Sequence, residues 1–237
     1  FEVFKTIPNC ESNMGNPWRL DMINMCIKSQ FNQFPTMKAK LMNSKIDELD
    51  QNDMEAYISN ITKNTYGKLL VQLRNKFIIE SQDIDTVVEN VMNNLNVCIT
   101  KGYGVSRIFI SGSYPLHKID TTINTPTSWD PNDIDIFIPH DISMNFMNHI
   151  HNTVFNDFEI IAAHNRCYTY QIPGHNKNIQ IVRMNSDYQD FTAMYDSTDI
   201  SITQCFVIHN SSKINPCEYH IAPIFSGWSF LCRTQEY

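Results

Sequence analysis

The stretch Ile110-Ser111-Gly112-Ser113-Tyr114 constrains this chain most, because Asp133-Ile134-Asp135-Ile136-Phe137 follows twenty residues later. The first segment reads as a short apolar strand that leaves through a Gly-Ser turn. The second reads as a strand on which two carboxylates alternate with aliphatic residues. Side chains at i and i+2 of a strand project from the same face, so Asp133 and Asp135 can share metal ions. Glycine lets a backbone approach a ligand closely, and a helix N-terminus favours anions. Gly112 and Ser113, ahead of a short helix candidate over Tyr114 to Ile119, therefore suit a triphosphate.

In-line displacement at phosphorus uses two divalent ions to clamp the attacking and leaving oxygens. Mg²⁺ takes carboxylate oxygens and keeps several waters, so a small set of Asp or Glu suffices. The chemistry still requires a third carboxylate beyond Asp133 and Asp135.

Bulk properties narrow the class. A chain of 237 residues with 42% hydrophobic and 18% charged residues is globular rather than disordered. It is long enough for a real core, in one large domain or two small ones. The net charge of −7 argues against a basic coat for nucleic acid, although a local basic groove is compatible with it. Seven cysteines, an odd number, form no regular framework. No secretory signal is evident, and no apolar run approaches the ~18 residues that span a membrane. The expectation is a cytoplasmic, intracellular protein with free thiols and no membrane partner. The chain begins at Phe1, as a piece of something longer would. Frequent Asn, Ile and Met fit an AT-rich genome, viral or otherwise.

Residues 1–100 read as a helical N-terminal region, although Pro8, Pro17 and Pro35 divide its first forty residues into short pieces. From Asp83 to Cys98 the residues Ile84, Val87, Val88, Val91, Met92, Leu95 and Cys98 make one apolar stripe, with Ser81 as its N-cap. Further helices are expected over Tyr66 to Ile79 and Lys45 to Ile61. Residues 101–237 read as an α+β domain, continuous with the first or separate from it. Strands are expected at Arg107–Ile110, Ile134–Ile138, Phe158–Ala163, Cys167–Ile172, Ile179–Met184, Ile200–Ile208 and Tyr219–Ala222. One helix is expected over Ser143–Phe155, and Pro173-Gly174-His175-Asn176 reads as a hairpin turn. Strands with few intervening helices suggest a mixed sheet with helices on one face.

The turn and the Asp-x-Asp strand together resemble the nucleotidyltransferase superfamily of the DNA polymerase β type. That superfamily includes poly(A) polymerases, terminal uridylyltransferases, and oligoadenylate and cyclic-dinucleotide synthases. The resemblance covers about residues 105–210. It implies a nucleotidyltransferase-like mixed sheet, an NTP substrate, Mg²⁺ or Mn²⁺ as cofactor, and a hydroxyl acceptor. The acceptor could be an RNA 3′ end, a nucleotide or a protein. Thr198-Asp199-Ile200-Ser201-Ile202 resembles the strand that carries the third acid, and Asn178-Ile179-Gln180-Ile181-Val182-Arg183 resembles the strand before it. The resemblance thus implies catalytic and metal-binding roles for Asp133, Asp135 and Asp199, and triphosphate binding by Gly112 and Ser113.

The chain departs from the pattern in two places. Asp120 to Asn132 lengthens the gap between turn and carboxylates and reads as an inserted loop with Trp129 near its end. Gln180 stands where some smaller members place their third acid. If Gln180 is the equivalent position, the site lacks one carboxylate, and the domain is an inactive module for assembly or for RNA or partner binding. Few residues follow the last strong strand, so a protein partner could complete the cleft. A competing motif, Cys205-x3-His209-x7-Cys217-x2-His220, has nearly zinc-like spacing but matches no familiar finger.

Overall fold

A computed structural model describes residues 17–44, 65–103, 108–123, 129–186, 194, 205–212 and 219–233. The chain divides into two compact units, Phe1–Ile79 and Glu80–Tyr237. No helix among the described residues is long and apolar enough to cross a membrane.

The first unit contains α1 (Pro17–Gln33), α2 (Pro35–Asn43) and most of α3 (Thr65–Ser81). Of the three early prolines, Pro17 and Pro35 open helices, Pro35 also divides α1 from α2 as expected, and Pro8 lies outside the described residues. Proline suits the first helical position because its missing N–H would be unpaired there. Ile27, Leu41, Leu70, Leu73 and Phe77 form the core. The Arg74 side chain donates from Nε to the Ser44 carbonyl at 2.8 Å, tying α3 to the end of α2. The helix expected over Lys45 to Ile61 lies outside the described residues.

The second unit opens with α4 (Ile84–Tyr103), whose buried stripe of Val87, Val88, Val91, Met92, Leu95 and Ile99 follows the expected spacing. Its N-cap is Asp83 rather than Ser81. The Asp83 carboxylate accepts from the Thr86 backbone N–H at 2.9 Å and from the Thr86 hydroxyl at 2.7 Å. An ionised side chain caps better here because the helix N-terminus carries partial positive charge.

An α+β arrangement follows: β1 (Phe109–Ser111), α5 (Ser113–Ile123), β2 (Asp133–Ile138), α6 (Met144–Thr153), β3 (Glu159–His164), β4 (Cys167–Gln171), β5 (Asn178–Arg183), β6 (Cys205–His209), β7 (Tyr219–Phe225) and β8 (Trp228–Arg233). The strands make one eight-stranded mixed sheet in the order β3-β4-β5-β2-β1-β6-β8-β7. Among the described residues only β2 and β5 run parallel, and every other neighbouring pair is antiparallel. Gly174, at φ +76, turns the hairpin between β4 and β5 as expected.

Alternation along β2 decides which face of the sheet meets the helices. Ile134, Ile136 and Ile138 are fully buried, while Asp133, Asp135 and Phe137 are half-buried on the opposite face. Tyr170 and Trp228 belong to the isoleucine face by register. Tyr170 stacks on Phe155, just after α6, with ring centroids 4.0 Å apart. Trp228 donates its indole N–H to Asn93 of α4 at 2.7 Å. Helices α4 and α6 thus meet the isoleucine face, which leaves the aspartates on the other. There Phe109, Phe206, Ile208, Leu231 and Met184 form a second core cluster.

Trp228 is fully buried, so its indole N–H depends on Asn93. Replacing Asn93 by alanine should cost about 1–3 kcal/mol, the penalty of stranding a buried donor. Urea unfolding should show a lower midpoint with an unchanged slope.

Candidate functional site

Four sequence-predicted residues converge at one end of the β1–β2 pair. In that antiparallel pairing Ser111 opposes Asp135. Gly112 follows immediately with φ +91, a conformation that side chains with a Cβ rarely adopt. A Cβ placed on Gly112 would lie 3.0 Å from Asp135 Oδ2. The backbone angle is what requires glycine here, and an added methyl would also press on the tip of the Asp135 carboxylate. Ser113 begins α5, so the helix start lies directly beside Asp135. Helix α5 extends to Ile123, four residues beyond the expected end, and takes up the first part of the presumed inserted loop. Trp129, later in that segment, donates to the Asp120 carboxylate at 3.0 Å and packs edge-on against His117.

The parallel neighbour β5 places an amide beside each aspartate: Asn178 in register with Asp133, and Gln180 with Asp135. Gln180 Nε2 donates to Asp133 Oδ2 at 3.0 Å. The Cys167 thiol on β4 lies 3.6 Å from Gln180 Oε1. A thiol donor on one side and a carboxylate acceptor on the other fix the orientation of the amide, with nitrogen toward Asp133. Burial raises the Cys167 thiol above its ordinary range, and the charges of Asp135 and Asp133 push the same way. Burial, reinforced by the Asp133 charge, pushes the Asp135 carboxyl up to about 6. Low dielectric and a like charge both disfavour the ionised form. A divalent cation between the two carboxylates would reverse both effects.

Asp133 and Asp135 fit Mg²⁺ or Mn²⁺, since one or two carboxylates plus substrate phosphates hold such an ion. Asn178 Oδ1 is buried and makes no hydrogen bond among the described residues, so a spare oxygen belongs to the residue opposite Asp133. Gln180 does not fit as a third metal ligand, because it presents N–H rather than oxygen to Asp133. Asp199 lies outside the described residues. Among the described residues, no group of three His, Cys, Asp or Glu side chains is placed to hold a metal ion.

Other polar groups near the turn have structural tasks. Tyr114 is 2% exposed and donates its hydroxyl to Asp85 of α4 at 2.9 Å, behind the turn rather than in a pocket. Lys118 also pairs with Asp85, at 2.6 Å. Lys177 pairs with Asp130 and donates to the Pro131 carbonyl, just before β2. Arg183 donates to the His140 carbonyl at 2.9 Å, just after β2. These two cations therefore brace the two ends of the strand that carries the aspartates.

Of the Cys/His motif, the structure describes the side chains of Cys205 and His209. His209 is 2.6 Å from the Ser211 hydroxyl through Nδ1 and packs edge-on against Trp228. Cys205 is 3.4 Å from Cys232, a residue outside the motif. Cys217 lies outside the described residues. Asn178, Gln180 and Cys167 are the neighbours of the aspartates; of these, only Gln180 stood out in the sequence. A signal for Asn178 was present: Asn178-Ile179-Gln180-Ile181 repeats the polar–isoleucine alternation of Asp133-Ile134-Asp135-Ile136. No family model matches the chain, and no curated protein matches it.

The raised Asp135 pKa gives stability a definite pH dependence. Between the ordinary carboxylate value of 3.8 and about 6, the folded state binds more protons than the unfolded state. Stability from this group is therefore full below that window and falls as pH rises through it. With EDTA present, Asp135→Asn should be more stable than the parent at pH 7.5 by on the order of 1–2 kcal/mol. The advantage should vanish near pH 4, as thermal unfolding across pH would show.

Proposed function

We propose that this chain is a metal-dependent nucleotidyltransferase that binds an NTP and transfers a nucleotidyl group to a hydroxyl acceptor. An RNA 3′ end, a nucleotide and a protein are the acceptor classes. The close approach of Gly112 to Asp135 carries this reading. It joins a helix start to a pair of carboxylates, which are the two recognition elements a metal–triphosphate complex needs.

Asp133 and Asp135 would hold the ion. Bound Mg²⁺ would neutralise triphosphate charge and stabilise the negative charge that develops during displacement. The Gly112–Ser113 turn and the first turn of α5 would offer backbone N–H groups, which the helix itself leaves unpaired. Gln180 would orient Asp133 through its amide hydrogen. Asp199 is the proposed third carboxylate, with the task of taking the proton from the attacking hydroxyl.

One observation favours a second reading. The strand beside the aspartates offers Gln180 and Asn178 and no carboxylate. A chain whose third acid is absent could still bind a metal–NTP complex without transferring it, serving assembly or RNA or partner binding.

Calorimetric titration with ATP, UTP, GTP and CTP, each with Mg²⁺ or Mn²⁺, tests both readings. The parent should bind at least one NTP in a metal-dependent way. Affinity should fall at least tenfold in the Asp133→Ala, Asp135→Ala double variant, and similarly in Gly112→Ala. Absence of metal-dependent binding in the parent would overturn the proposal. Incubation with labelled NTP and an RNA acceptor then separates the readings. Transfer that is lost in Asp199→Asn supports the enzyme, whereas binding without transfer to any acceptor class supports the inactive module.

A further inference from the structure

Cys205 on β6 and Cys232 on β8 are directly opposed in an antiparallel pair. Their sulfurs lie 3.4 Å apart, and both thiols are free and half-buried. Opposed residues of antiparallel strands have Cα atoms about 4.5–5.5 Å apart. That separation lies inside the range of about 4.4–6.8 Å that a disulfide spans. Closing the bond requires the sulfurs to approach by about 1.4 Å, which is within reach of small side-chain rotations.

We propose that Cys205 and Cys232 form a reversible disulfide by exchange with a small-molecule disulfide of the glutathione class. The thiolate of one of the pair, for example Cys205 after its proton passes to water, attacks one sulfur of glutathione disulfide, forms a mixed disulfide, and releases one glutathione thiolate. Cys232 then gives its proton to the released glutathione thiolate and attacks Cys205 Sγ. The new sulfur–sulfur bond forms as the bond from Cys205 to glutathione breaks, and a second glutathione leaves. Two protein thiols are oxidised and one glutathione disulfide is reduced to two glutathiones, so atoms and electrons balance.

Either sulfur can attack first, because across this contact each thiol can donate to the thiolate of the other.

The bond would lie close to the candidate site. Cys205 immediately precedes Phe206, which opposes Ser111 on β1. Oxidation would fasten β6 to β8, and β6 is the strand that flanks β1 on the side away from β2. This proposal is independent of nucleotide binding.

The test uses the full chain, first fully reduced and then equilibrated with glutathione disulfide. Remaining thiols are alkylated, and the peptides are mapped by mass spectrometry. The peptides containing Cys205 and Cys232 should be joined to each other, and excess glutathione should release them. In Cys232→Ser, Cys205 should instead retain a glutathionyl group. The oxidised parent should melt roughly 5–10 °C above its reduced form, a shift absent from Cys232→Ser. The proposal is overturned if both residues remain alkylatable after oxidant has modified the exposed Cys26. It is equally overturned if either sulfur is joined to a different cysteine. Mapping on the parent decides the matter even if a variant fails to fold.

Discussion

The antiparallel pairing of β1 with β2 is the constraint on which the rest of the site depends. It sets Ser111 opposite Asp135 and so brings Gly112 against the carboxylate. A slip of one residue would turn every β2 side chain to the other face. Packing forbids that slip, because Ile134, Ile136 and Ile138 are all fully buried. Burying each isoleucine contributes about 1.5–3 kcal/mol. Exposing all three would cost more than relieving the crowding of Asp133 and Asp135 could return. The core therefore holds two carboxylates together in a place that neither would choose by electrostatics alone.

Around that pair the sheet builds a graded polar row. Asn178 and Gln180 stand in register with Asp133 and Asp135, and Cys167 lies beyond Gln180. The amide of Gln180 donates to Asp133, while burial holds Asp135 toward its protonated form. The two aspartates are thus unequal before any ligand arrives. Lys177 and Arg183 are spent on the loops at either end of β2, which holds the strand in place. Lys177 and Arg183 therefore act as braces for the strand, and neither is paired with Asp133 or Asp135 in those contacts.

Much of this was legible in the sequence where local pattern and burial agree. The stripe from Val87 to Leu95 and the Asp-Ile-Asp-Ile alternation each have one period and one buried face, so helix and strand followed directly. The α+β class, the mixed sheet and the hairpin at Gly174 followed from the order of such segments. The misses share a different cause: one residue type serves two purposes. Proline ends helices in mid-run but opens them at the first position, so Pro17 and Pro35 were read only as dividers; Pro35 does divide α1 from α2, but both residues also start helices. Ser81 and Asp83 both can cap, and only the contact with Thr86 decides between them. Strand β8 was missed because Trp228 to Arg233 carries little alternation. Its burial comes from Asn93, distant in sequence, and from pairing on both sides. At the candidate site, the strand with the aspartates and the turn at Gly112 were legible because each is a local pattern. The amides beside Asp133 and Asp135 depend on a parallel register over forty-five residues, which no local pattern sets.

A crystal structure of the protein with Mn²⁺ and a non-hydrolysable NTP analogue tests the central claim most directly. The anomalous signal of manganese should fall within coordination distance, about 2.1–2.3 Å, of oxygens from both Asp133 and Asp135. Triphosphate density should reach the Gly112–Ser113 turn at the start of α5. Manganese bound elsewhere, or a triphosphate that avoids this turn, would contradict the account.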